Sequence, residues 1–167
     1  MAYNFRDDKG DERSKGAYGS VNSDAEEFYK AGLFLLKNET AREALVAFRR
    51  AHLMKETDPR YMSYYGLCLA LGEKRIQEAV ALCESAVKRD FVHADLFLNL
   101  GRVYLLAGSR WKAHRAFQKG LSLDTDNRDI HRELDRMGSR RPPVLPFLER
   151  SHPINKLAGK LLYKLRH

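Results

Sequence analysis

From residue 25 onward the apolar positions fall in short blocks at helical spacing, each wide enough for one face of a helix. Four kinds of landmark recur within those blocks. Gly32, Gly66 and Gly101 are 34 and 35 residues apart, and Ala44, Ala79 and Ala113 are 35 and 34 apart. Phe48, Cys83 and Phe117 repeat with the second spacing, as do the small residues Ala51, Ala86 and Gly120. Such a period fits two antiparallel helices with their turns. One pair cannot bury its own apolar stripe, so neighbouring pairs must stack into a continuous core. The expected units are residues 25–58, 59–93 and 94–127. The glycines mark close backbone approach on the first helices, and the alanines mark it on the second. Phe48 and Phe117 fill the space between, and Cys83 stands in their place as a smaller hydrophobe.

The helix ends carry their own signals. Ser23-Asp24-Ala25-Glu26 and Thr40-Ala41-Arg42-Glu43 have the hydroxyl-to-carboxylate spacing of capping boxes. Asp58-Pro59 reads as an N-cap followed by proline in the first turn. Ser109 and Asn127 suit the N-caps of the next two helices. The first unit's Asp-Pro comes late, so its second helix is expected to run to about Thr57. The middle unit has one more residue between Gly66 and Ala79 than its neighbours have, and the turn at Leu71-Gly72-Glu73-Lys74-Arg75 would absorb it at least cost. Residues 128–138 read as a capping helix ended by Gly138, with Ile130, Leu134 and Met137 inward and Glu133 largely outward. Ahead of the array, residues 1–22 are rich in Gly, Ser and charge, and read as a flexible polar leader.

A 34-residue period with a glycine in its first half and Ala-x₃-Phe-x₂-Ala in its second resembles the tetratricopeptide repeat, or TPR. The resemblance covers residues 25–127. It implies an all-α fold, a right-handed superhelical array of helix pairs. It also implies that the first helix of each pair lines a concave groove taking an extended peptide or a helix. By that resemblance the first unit contributes Tyr29, Leu33 and Leu36 to the groove. The second contributes Arg60, Ser63, Leu67 and Ala70, and the third Asp95, Leu98, Arg102 and Leu105. A competing reading packs Leu33, Leu67 and Leu98 between adjacent helices. In one mode of the family, Lys, Asn and Arg side chains grip a terminal carboxylate. Here Tyr29, Leu33, Tyr64 and Asp95 occupy those places and Asn99 is the one amide nearby, which argues against that mode.

Charge separates the array from its tail. The chain carries a net charge of +8, and residues 138–167 hold seven Lys and Arg against one carboxylate. Residues 139–167 open on the stiff Arg140-Arg141-Pro142-Pro143-Val144-Leu145-Pro146. In residues 155–166, Leu157, Leu161, Leu162 and Leu165 then follow helical spacing, with Lys156, Lys160 and Lys164 around them. This basic amphipathic helix would seek its own repeat array, an anionic membrane or a protein partner. Docking on the array is favoured by local concentration.

With 167 residues, 44% of them hydrophobic, the chain can fill one core, and no apolar run is long enough to span a membrane. Cys68 and Cys83 read as structural thiols in a reducing compartment, which makes the cytoplasm the expected location, with the membrane periphery a second site for the tail. The histidines are scattered without metal-ligand spacing, and there is no nucleophile elbow or phosphate loop. No catalytic, cofactor or metal residues are therefore assigned. Arg110, Lys112, Arg115 and Lys119 lie beside Trp111, but Asp95, Asp124 and Asp126 dilute their field, so nucleic acid is not the expected partner. That helix face is expected to be solvated, with Trp111 packed on a neighbouring helix. The expected role is a non-enzymatic adaptor or scaffold that binds another protein, with its own tail as a regulator. A membrane-surface adaptor and a small secretion-type chaperone are the alternatives. The oligomeric state is open.

Overall fold

Among the described residues the chain forms helices only. They are α1 (Glu12–Lys37), α2 (Ala41–Met54), α3 (Pro59–Gly72), α4 (Ile76–Arg89), α5 (Ala94–Leu106), α6 (Arg110–Leu121) and α7 (Arg128–Met137). The computed structural model describes residues 12–138, with 12–22 as backbone alone, together with residues 153, 154 and 157. Two units divide the chain, Met1–Glu133 and Leu134–His167. Within the first, α1 packs on α2, α3 on α4 and α5 on α6. Contacts of α2 with α3, of α4 with α5 and of α3 with α5 link the pairs into a series.

The landmarks do what their sizes require. A Cβ placed on Gly32 would stand 2.7 Å from the Phe48 ring, and one on Gly101 would collide with the Phe117 ring. Both rings are fully buried. On Gly66 the same Cβ would meet Cys83 Sγ at 3.0 Å and Leu82 Cβ at 3.1 Å. Close helix approach is thus set by a missing methyl in all three pairs. Cys68 and Cys83 are free and buried. Burial pushes both thiols up to about 12, so they stay protonated and pack as apolar groups.

Several helix ends differ from the sequence expectation. α1 begins at Glu12, so residues 12–22 belong to a helix, and Ser23-Asp24-Ala25-Glu26 lies inside it rather than at its cap. Ala25 and Tyr29 anchor the helix by burial, and lengthening a helix already anchored adds a hydrogen bond per residue without a new nucleation cost. Residues 1–11, the rest of the expected leader, lie outside the described residues. Asp58 caps α3 as expected, its carboxylate accepting from the Arg60 backbone N–H at 3.0 Å with Pro59 in the first turn. Asn127 Oδ1 likewise accepts from the Ile130 N–H at 3.1 Å. Thr40 precedes α2, but its hydroxyl donates backward to the Leu35 carbonyl at 2.8 Å and caps nothing. Ser109 makes no side-chain cap either. α2 stops at Met54 instead of about Thr57, with the Lys55 N–H closing onto Ala51 and His52.

The extra residue of the middle unit lies in α3 and not in the turn. In each pair the connection contains one residue with left-handed backbone: Glu39 at φ 62°, Lys74 at φ 57° and Gly108 at φ 73°. Each of these stands at the same distance in sequence before Ala44, Ala79 or Ala113. The turn is therefore common to all three pairs, and the first helix of the middle pair runs one residue further past its glycine than the other two do. Helix length is the freer variable, since the turn must supply the left-handed residue that returns the chain. After α6, helix α7 buries Ile130 against Gly120 and ends at Gly138, at φ 74°. Glu133, expected to point largely outward, is buried.

Candidate functional site

The first helices of the pairs bring their residues to one region. Tyr29 of α1 meets Tyr61 and Tyr64 of α3 at ring distances of 5.1 and 5.5 Å, and Phe48 of α2 stacks on Tyr64 at 5.2 Å. Burial is the main cause that raises the Tyr29 phenol well above its usual range, and Tyr64 adds to it. Burial, with the Asp95 carboxylate second, pushes Tyr64 up to about 12. These phenols are neutral donors at any physiological pH.

The expected groove residues separate into two sets. Ser63, Leu67, Ala70 and Leu98 are buried and offer no surface to a ligand, and Tyr29 keeps only an edge. Leu67 and Ala70 belong to a core cluster with Leu100 and Val103, against which Leu36 packs. Leu33, Leu36, Arg60, Arg102 and Leu105 are partly exposed, and Asp95 is exposed. Residues 155 and 156 and 158–167, which include Lys156, Lys160, Leu161, Leu162, Lys164 and Leu165, lie outside the described residues; Leu157 is helical and exposed.

Both cations of this set already have carboxylate partners. Arg60 reaches Glu26 at 3.2 Å and Asp58 at 3.3 Å, and Tyr61 donates to the same Glu26 oxygen at 2.8 Å. Arg102 Nε donates to Glu133 at 2.8 Å. Sequence reading missed the second pair because helical spacing places Glu133 on the outer face of α7. Behind the site Asn99 donates to Ser63 Oγ at 3.1 Å, while its buried Oδ1 meets no donor among the described residues. A neutral, aromatic and aliphatic surface with paired charges at its edges suits an apolar side chain better than an isolated anion. Among the described residues no group of His, Cys, Asp and Glu could hold a metal ion, and no helix is long and apolar enough to cross a membrane.

No family model matches the chain. A TPR repeat-containing thioredoxin of Arabidopsis thaliana, TTL4, is 34% identical over 93 residues, which are 56% of this chain and 14% of that protein. The chain thus spans a small part of the length of that relative. The TPR protein YrrB, described as having an unusual peptide-binding site, superposes with a TM-score of 0.55 at 25% identity, over 74% of this chain and 69% of that one. The first TPR domain of Spaghetti (RPAP3), bound to the HSP90 peptide SRMEEVD, superposes at 0.58 with 16% identity, over 70% and 94%. Three stacked pairs, their landmark residues and these likenesses define the class. The chain is a TPR-repeat protein, with three motifs and a capping helix.

Proposed function

We propose that this protein is a non-enzymatic interaction module whose first helices take a peptide or helix through its apolar side chains. The observation that carries the reading is the pairing of Arg60 with Glu26 and Asp58, and of Arg102 with Glu133, on first helices that leave Leu33, Leu36 and Leu105 partly exposed. A terminal carboxylate would meet arginines whose charge is already balanced by Glu26, Asp58 and Glu133, and the exposed Asp95 would repel it. An apolar segment meets neither obstacle. TPR relatives bind peptides, among them the HSP90 peptide bound to the Spaghetti domain. By the resemblance, Tyr29, Leu33, Tyr64 and Asp95 take the places where the carboxylate-gripping mode has basic and amide residues. Residues 155–166, with leucines at helical spacing, have the chemistry this surface takes, so the tail is its built-in competitor. The cytoplasm is the compartment that fits two reduced, buried thiols.

Selection of displayed peptides on the full chain tests the reading. It is expected to return sequences rich in Leu, Ile and aromatic residues, with no need for a free C-terminus. Leu33→Asp with Leu105→Asp should weaken them at least about tenfold. A peptide of residues 155–166 added in trans should displace them. Enrichment of acidic C-terminal carboxylates, or binding indifferent to both leucines, would sink the proposal.

A further inference from the structure

A second surface lies between α5 and α6. It is a cleft of about 340 Å³ with buried Phe97, Leu100 and Ala116 at its floor and Tyr104 and Trp111 on its walls. Lys112, Arg115 and Lys119 line it as well, and no carboxylate does. Trp111, expected to pack on a neighbouring helix, is 68% exposed. The Arg115 guanidinium lies 5.0 Å from the Trp111 ring centre, and the Lys112 ammonium 5.4 Å from that of Tyr104. The Tyr104 hydroxyl donates at 2.6 Å to Glu84, which does not line the cleft.

Charge makes this surface unlike the rest of the array. α6 carries four cations and no acidic residue. Lys112 sits in its first turn, where the helix dipole disfavours a positive charge. Lys112, Arg115 and Lys119 fall at i, i+3 and i+7, so they form one stripe along the cleft. A stripe of cations over an apolar floor, with each aromatic wall beside one of those cations, is a two-part site. The floor asks for a bulky apolar side chain, and the rim asks for carboxylates on either side of it.

We propose that the α5–α6 cleft docks an acidic segment of a partner protein, seating one bulky apolar side chain on Phe97 and Leu100 and flanking carboxylates on Lys112, Arg115 and Lys119. The basic tail of this chain carries the wrong charge to be the occupant. A nucleic acid could use the cations and the exposed Trp111 alone, with its bases stacked on that ring, and has no need of the buried floor. Acidic peptides satisfy both parts at once.

Trp111 is the only tryptophan of the chain, so its emission reports this cleft and not the groove. The full chain is titrated with a short peptide in which glutamates flank a Phe-Leu pair, and emission is followed beside calorimetric heat. A saturable emission change is expected, with affinity falling roughly tenfold from low to physiological salt. Lys112→Glu with Lys119→Glu leaves the Arg115–Trp111 contact in place and should weaken binding at least about tenfold. Leu33→Asp, in the groove, should leave it unchanged. Circular dichroism checks that the exposed substitutions preserve the fold. The proposal is overturned by no emission change and no heat up to about millimolar peptide. It is equally overturned if the double charge reversal binds as well, or if a peptide with Ser-Ser in place of Phe-Leu does. A single-stranded oligonucleotide that shifts the emission where the peptide does not would make the cleft a nucleic-acid surface instead.

Discussion

In the first and third helix pairs a phenylalanine ring fills the space left by a glycine on the facing helix. In the middle pair a thiol does so, although ring and thiol differ greatly in volume. The difference is made up one position earlier in the chain. Ala47-Phe48 and Ala116-Phe117 are small then large, whereas Leu82-Cys83 is large then small. Leu82 Cβ stands 3.1 Å from the position a Gly66 Cβ would take, and its side chain packs against the core of the first two pairs. The core therefore sets the sum over two adjacent positions more tightly than either residue. That follows from packing at crystal-like density, where volume can move along a helix if the total is kept.

The comparison breaks first at the glycines. Gly101→Ala would push a methyl into the fully buried Phe117 ring, closest to its Cε1 atom. The overpacking costs about 3 kcal/mol against about 1 kcal/mol gained in helix propensity, so a net loss of about 2 kcal/mol is expected. At Gly66 the neighbours need to yield by only a few tenths of an ångström, so Gly66→Ala should lie within about 1 kcal/mol of neutral. Urea unfolding midpoints of the two variants, with unchanged slopes, measure both. Equal costs would mean that the middle pair is packed like the outer two.

How much of this could be read from residues alone depends on whether the signal was local. The Asp58-Pro59 start and the Gly138 stop were legible because each acts within about one turn of chain, and the period and its glycines because they recur three times. The start of α1 was not, since the polar residues 12–22 extend a helix whose buried anchors, Ala25 and Tyr29, lie further on. The reach of Glu133 to Arg102 was hidden for another reason. It joins α7 to α5 through an ion pair, and neither hydrophobic periodicity nor local spacing reports such pairs. Groove residues were named by analogy with the repeat, and the burial of Leu67 and Leu98 shows what position in a motif leaves out. It places a residue on a helix face without saying what covers that face.

The volume exchange itself can be sharpened by a double-mutant cycle. Cys83→Phe alone overfills a site where Leu82 already takes the space, and about 2 kcal/mol should be lost. Leu82→Ala alone removes packing from the core and should cost a similar amount, about 2 kcal/mol. Together they recreate the Ala-Phe order of the neighbouring pairs. The double variant should lose at least about 1 kcal/mol less than the two single losses combined. Strict additivity in chemical denaturation would show that the two positions do not share one space.

The smallest effect lies in the turns, where the three pairs share one backbone but not one residue. Gly108 takes the left-handed conformation at no steric cost, and a Cβ there would meet nothing within 4 Å. Glu39 and Lys74 take it against the clash of their own Cβ with the backbone. Lys74→Gly should therefore relieve strain, partly offset by the greater freedom of glycine in the unfolded chain, for a gain of about 0.5 kcal/mol. Gly108→Ala should lose about 1 kcal/mol through backbone strain alone, since it introduces no contact. Opposite signs in thermal unfolding at the two positions would establish that the turn dictates the conformation and the sequence merely tolerates it. A loss at Lys74→Gly would mean that the lysine side chain contributes more than its backbone strain costs.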